Sequence, residues 1–269
     1  MDVPEILSYQ GLRARGLTRH DIVKLVDQGI LLRLHQGIYT TTTYASDATI
    51  AIQNGARLGC LSGCRIHGLW VPRDPDTHIV YGTGKKPRQK PGTQIHRYGV
   101  PLPVAAVWPL RQCIEQVLLN HDHETALIIL ESAINKRLLR HSEAIEMLTT
   151  MPRKVQRIAP YVNGRAMSGS ETRLRYFFER RGIRVAAQVL IPDVGWVDTV
   201  VGDSLIVACD SDAYHSSRES YANDRRRDLA ARDQGYEPLR LSYQQIWHEW
   251  EATQLSLLRM IRAGKHRKP

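Results

Sequence analysis

Residues 196–241 read WVDTVVGDSLIVACDSDAYHSSRESYANDRRRDLAARDQGYEPLRL, and their pattern decides the fold of the C-terminal part of the chain. Trp196–Val201 and Leu205–Asp210 are short β-branched runs and read as two strands of a hairpin. After His215 the spacing becomes helical over Tyr221–Gln234, stops at Gly235, and gives way to a strand at Glu237–Leu241. Upstream, Val185–Leu190 is a further strand. Ser170 reads as the cap of a helix that carries Glu171, Leu174, Phe177 and Phe178 and ends at Arg180-Arg181-Gly182. A last helix is expected from about Gln244 to Ala263. The order α-β-β-β-α-β predicts an α/β core with a central mixed sheet over residues 166–269.

The stretch SETRLRYFFERRGI, with the block from Asp198 to Arg240, resembles the very-short-patch-repair-like branch of the PD-(D/E)XK nuclease superfamily. The resemblance spans residues 168–247 and implies a restriction-endonuclease-like fold, Mg²⁺ or Mn²⁺ as cofactor, and hydrolysis of phosphodiester bonds. In that family a helix Glu, a hairpin Asp, and a Glu two residues before a second Asp surround the cation. A downstream His and a DxxRD helix complete the pattern. Carried over, Glu171, Asp198, Asp210 and His215 match the catalytic positions, and Asp224, Arg227 and Asp228 match the supporting helix. The strand Glu position is Ala208.

That substitution matters because Mg²⁺ takes hard oxygen ligands, commonly one or two carboxylates with waters and phosphate oxygens. The metal stabilises charge on the phosphate and helps generate a hydroxide nucleophile. With Ala208, Asp198 and Asp210 are left as the metal pair, and Glu171 and His215 as groups that could orient water. Positions 208 and 210 share one strand face, so Asp210 is expected to reach the site. His215 suits proton transfer because an imidazole titrates near neutrality. Each match has a plainer reading: a helix-surface pair for Asp224 and Arg227, a loop cap for His215, and a first-turn charge for Glu171. Ala208 has two explanations, a natural loss of catalysis with the fold kept for binding, or an introduced, inactivating Glu→Ala change. The functional readings are a metal-dependent endonuclease or its inactivated form, in phage defence, mobile-element competition or repair, and a non-catalytic regulator that keeps the fold as a binding platform.

The front of the chain reads differently. A helix is expected from about Pro4 to Ala14, ended by Gly16, and Thr18 is a good N-cap for a second helix over Arg19–Gln28, stopped by Gly29. Ile22, Val23, Leu25 and Val26 would form its apolar face, leaving Arg19, His20 and Lys24 outside. Two short strands follow across Ile30–Tyr39, turning at Gln36-Gly37. Helix, turn, helix and hairpin outline a winged helix over residues 1–70. Its second helix would enter the major groove of DNA, and Arg33 and His35 on the wing would meet the backbone or minor groove. The segment LTRHDIVKLVDQGILLRLHQGIYT resembles the N-terminal domain of AbiEi-type antitoxins, as does the later RLGCLSGCRIHGLW. The resemblance implies DNA binding or transcriptional self-regulation and does not by itself imply a toxin, so a toxin or other protein stands only as a candidate further partner; a module for protein contacts is the plainer alternative.

Residues 71–165 read as a strand (Thr77–Tyr81), a basic loop and a helical connector with helices near Leu110–Asn120, Thr125–Arg137 and from Ser142. Lys85, Lys86 and Arg88 in that loop could clamp phosphates; a solvated loop is the bland alternative. The loop lacks GxxxxGK[ST] spacing, so it is not a P-loop. The net charge of +10 sits toward the front: residues 1–167 hold 21 Lys/Arg against 13 Asp/Glu (+8), and residues 168–269 hold 16 against 14 (+2). Such asymmetry points to a polyanionic partner.

No apolar run approaches the roughly 20 residues of a bilayer span, and the acidic start does not read as a signal peptide, so no membrane and a cytoplasmic location are expected. Of the four cysteines only Cys60 and Cys64 are close, and no second pair at zinc spacing completes them. Reduced, buried thiols, no zinc and no organic cofactor are therefore expected.

Overall fold

A computed structural model of the chain describes residues 5–41, 46–210 and 218–268. The chain divides into two compact units, residues 1–129 with 150–155, and residues 130–149 with 156–269. Together they make a multi-domain α+β protein. The middle segment expected as a helical connector contributes strands to the first unit as well as helices to both.

The first unit opens with β1 (Leu7–Ser8), α1 (Tyr9–Ala14), α2 (Arg19–Asp27), β2 (Leu32–His35) and β3 (Ile38–Thr40). The strands form an antiparallel sheet in the order β1-β3-β2. The helix expected from Pro4 begins only at Tyr9. Leu7–Ser8 pairs with β3, and the Ser8 hydroxyl accepts the Gly11 N–H at 2.9 Å to cap α1. Thr18 caps α2 as expected, in a reciprocal box with Asp21. Ile22 is buried with Leu12, Leu31 and Tyr39, but Val23 is 50% exposed. Val23 therefore leaves the expected apolar face and joins the outer face beside Arg19, His20 and Lys24, all exposed.

The unit continues through α3 (Asp47–Gln53), β4 (Arg57–Leu58), α4 (Cys60–Ile66), β5 (Thr77–Tyr81), β6 (Thr93–Arg97) and α5 (Leu110–Asn120), and the division between units falls within α6 (His123–Asn135). The second sheet runs β4-β5-β6, with β4 antiparallel and β6 parallel to β5. The sequence reading missed β6, because TQIHR has a single aliphatic residue and no alternation to mark it. Two further helices are α7 (His141–Thr149) and α8 (Arg153–Gln156).

The second unit is built from α9 (Gly169–Glu179), β7 (Val185–Ile191), β8 (Gly195–Val201), β9 (Leu205–Asp210), α10 (Arg218–Asp233), β10 (Glu237–Ser242), α11 (Tyr243–Trp247) and α12 (Trp250–Arg262). Its sheet runs β10-β9-β8-β7; β10 is parallel to β9 and the other neighbours are antiparallel, the expected mixed sheet. Alternation along β9 covers both faces. Leu205 and Val207 pack with Leu174 and Phe178 of α9 and Leu257 of α12, whereas Ile206 packs with Val197, Val200 and Ala231 of α10. The single final helix expected is two, broken at His248 and Glu249. Ser168, not Ser170, caps α9, since its hydroxyl accepts the Glu171 N–H. Ser170 is buried and accepts the Trp247 indole N–H at 2.8 Å.

One buried charge organises this unit. Arg175 of α9 is 1% exposed and its guanidinium is held by Glu131 of α6, also 1% exposed, and by Glu179. Glu131 also accepts the Asn163 N–H at 2.8 Å and the Thr172 hydroxyl at 2.8 Å. Glu131→Ala removes the buried one of the two carboxylates that hold this guanidinium and is expected to cost about 3–5 kcal/mol in urea unfolding. A cost below about 1 kcal/mol, the value of an exposed pair, would show that solvent takes over the role of Glu131.

Candidate nucleic-acid interface and acidic site

Every side chain expected to meet nucleic acid is exposed: Arg19, His20 and Lys24 on α2, Arg33 and His35 on β2, and Lys85, Lys86 and Arg88 in the loop after β5. The fold brings the wing and the basic loop together. His35, Gln36 and Ile38 of the hairpin, Gln53 and Asn54 at the end of α3, and Lys85, Lys86 and Arg88 line one groove of about 830 Å³. The sequence treated the wing and the loop as separate features.

The loop is held at three points. A Cβ on Gly82 would lie 2.2 Å from the Val100 carbonyl oxygen, so only glycine admits this close approach. Pro87 is buried between its exposed cationic neighbours. At the far end the Gln89 side-chain amide donates to the Thr93 carbonyl at 2.6 Å, and the Thr93 hydroxyl donates to the Lys90 carbonyl at 2.7 Å. Cationic side chains displayed from a fixed frame lose less entropy on meeting phosphates than those on a free coil.

In the second unit, Glu171 stands in the first turn of α9 and is 6% exposed. Its Oε2 accepts the Met167 N–H at 2.9 Å and the Gln188 side-chain amide at 3.0 Å, and its Oε1 accepts the Ser168 hydroxyl at 3.0 Å. Burial, joined by the charge of Asp198, pushes the carboxyl above its ordinary value despite these donors. Gln188 is a site residue that sequence reasoning missed. It sits inside β7 at a positive φ of 53°, a strained conformation for this residue type. A polar residue inside the apolar run VAAQVLI was the available signal.

Asp198 lies on β8, where pairing with β9 runs from Val201↔Leu205 to Thr199↔Val207 and stops. Beyond that point the Asp198 carboxylate accepts the Cys209 N–H at 3.0 Å. Asp198 and Ala208 line a pocket of about 100 Å³ with Arg227, Asp228 and Arg240, far below the ~300–1,000 Å³ of organic-ligand sites. Asp210 ends β9, paired with Ser242, and His215 lies outside the described residues.

The supporting residues have structural partners. Arg227 donates from Nε to the Val194 carbonyl at 2.7 Å and from its other end to the Trp196 carbonyl, tying α10 to the β7–β8 turn. Asp224 and Asp228 flank Arg240 of β10 at 3.1 and 3.4 Å. Arg240 is the strand partner of Ala208, so a guanidinium already balanced by two carboxylates stands beside Ala208.

Residues 2–42 match the family described as "Transcriptional regulator, AbiEi antitoxin", so the start of the chain is similar to that family. No curated protein matches the chain. Among the described residues no helix is long and apolar enough to cross a membrane.

A carboxyl raised by burial adds to stability at low pH and loses that contribution as pH climbs through its folded value. Relative to Glu171→Gln, the wild-type chain is therefore expected to be favoured at pH 4 and to lose ground by pH 7. Urea midpoints of both chains at the two pH values test this, and a pH-independent difference would assign Glu171 an ordinary surface-like titration.

Proposed function

We propose that the chain binds double-stranded DNA through its N-terminal unit as an antitoxin-like transcriptional regulator, and that its C-terminal α/β unit works as a binding platform. The observation that carries this reading is the convergence of the wing with Lys85, Lys86 and Arg88 on one groove. A hairpin wing beside a phosphate-binding strip suits a duplex lying along both, with α2 in the major groove. Val23, exposed among Arg19, His20 and Lys24, offers methyls to a thymine methyl, the apolar feature of that groove. The family match at residues 2–42 supports the regulator reading and brings a toxin protein in as a second partner.

A metal-dependent nuclease is the second reading, favoured by Glu171, Gln188 and Asp198 gathering where β8 parts from β9. Against it stands Ala208, which leaves Mg²⁺ or Mn²⁺ short of a carboxylate. The chain as written is expected to retard DNA in a gel without cutting supercoiled plasmid in Mg²⁺ or Mn²⁺. Ala208→Glu is expected to raise metal affinity and cleavage. Equal and absent cleavage by both chains, with DNA still bound, leaves the regulator alone; metal-dependent cutting by the unaltered chain overturns it.

The duplex probe is the region upstream of the chain's own coding sequence. Replacing Lys85, Lys86 and Arg88 together with Ala is expected to flatten the slope of log K against log salt by about 2–3, at about 0.9 per phosphate contact. An unchanged slope would remove the groove from the interface.

A further inference from the structure

Four side chains that sequence spacing kept apart meet inside the first unit. Cys60, His78, His96 and His121 each offer one ligand atom, and these atoms lie within 4.8 Å of one another. Cys60 Sγ is 3.1 Å from His121 Nε2, and His78 Nδ1 is 2.9 Å from His96 Nε2. The rings of His78 and His96 stack at 5.1 Å, with His121 5.1 Å from His78 and 5.8 Å from His96. Cys60 and His78 are fully buried, and His96 and His121 half-buried.

The fold aims these groups deliberately. His78 and His96 come from adjacent parallel strands; His96 pairs with Val80, two residues along β5 from His78, so both imidazoles rise from one sheet face. Cys60 follows Gly59, whose N–H donates to the His78 carbonyl at 3.2 Å. Any side chain at 59 would fall 2.4 Å from Gln116 Oε1, the atom that accepts the Cys60 N–H at 2.8 Å. Cys60 itself holds a φ of 49°, which non-glycine residues seldom adopt. His121 closes the set from the end of α5. Outside the four, Asp74 Oδ2 lies 3.2 Å from His78 Nε2, the nitrogen turned away from the cluster.

We propose that Cys60, His78, His96 and His121 bind one divalent transition metal of the zinc class in a closed, tetrahedral, structural site. One thiolate with three imidazoles is a donor set of borderline softness, which selects zinc over magnesium or calcium. Tetrahedral Zn²⁺ with Zn–N of about 2.0–2.1 Å and Zn–S of about 2.3 Å sets ligand atoms about 3.3–3.6 Å apart, so separations that now reach 4.8 Å would change by no more than about 1.5 Å. On binding, the Cys60 thiol gives its proton to solvent and the sulfur becomes a ligand. Asp74 supplies the outer carboxylate that orients a ligating histidine. Four protein ligands leave no open position for a substrate, so the metal staples α4, the end of α5 and the β5–β6 pair together. This site is independent of the DNA-binding reading.

The test uses the full chain, purified without added metal and assayed by mass spectrometry for metal content, then stripped with chelator and titrated with Co²⁺ under reducing conditions. Expected are one zinc per chain and, with Co²⁺, the visible bands of a tetrahedral site plus a near-ultraviolet thiolate-to-cobalt band. Cys60→Ser should lose the thiolate band, and His121→Ala, at a half-buried position, the tetrahedral signature; Cys209→Ser, in the other unit, should keep both. Asp74→Asn should weaken Co²⁺ binding about 10–100-fold with the spectrum retained. Metal-free wild-type protein that takes up no Co²⁺, or identical spectra from wild type, Cys60→Ser and His121→Ala, would overturn the proposal.

Discussion

The ion pair between Glu131 and Arg175 is the constraint from which the second unit follows. A guanidinium with 1% exposure has lost its hydration and persists only where carboxylates and further hydrogen bonds replace it. Glu131 receives Arg175, Thr172 and the Asn163 backbone at once, which fixes one face of α9 and the chain leading into it. Leu174 and Phe178, one turn apart on α9, pack against the sheet. The first turn of α9 is set as a consequence, and with it Ser168 and Glu171. The position of the acidic site is thus an outcome of packing more than twenty residues from Asp198.

In the first unit the corresponding constraint is close backbone approach. Gly59 and Gly82 occupy places where a Cβ would meet Gln116 Oε1 at 2.4 Å and the Val100 carbonyl oxygen at 2.2 Å. These contacts let β4 and β5 press against α5 on one side and pin the basic loop on the other. The loop joins two parallel strands with no helix between them, which is short for such a crossover. Its buried Pro87 and the Gln89–Thr93 contact supply the rigidity that a crossover helix would otherwise give.

What the sequence disclosed were features written locally. The Thr18 cap, the hairpin around Gly37, β9 and the mixed character of its sheet depend on residues near one another in the chain, and turn or cap chemistry marks them. Misreadings occurred where two candidates of one type compete or where partners are distant. Ser168 and Ser170 could each cap α9, and only the demand of the Trp247 indole for an acceptor separates them. Val23 was assigned inward because apolarity was read without the helix angle. Strand β6 was invisible because TQIHR lacks a pattern. The cysteine–histidine cluster escaped for a related reason: Cys60 and His121 stand 61 residues apart, and no short ligand spacing survives when a sheet face supplies the geometry.

The electrostatics of the acidic site bear on what it can do. A catalytic divalent cation requires carboxylate oxygens that are close together and unspent. All the hydrogen-bonding directions recorded for Glu171 run to Met167, Ser168 and Gln188, so its charge is already engaged in holding α9 and β7. Asp198 spends one oxygen on the Cys209 N–H, where it replaces a missing ladder bond between β8 and β9. Asp224 and Asp228 face Arg240 and balance its charge. Glu171, Asp198, Asp224 and Asp228 thus each answer to a structural partner, while Ala208 lines the pocket without a carboxylate.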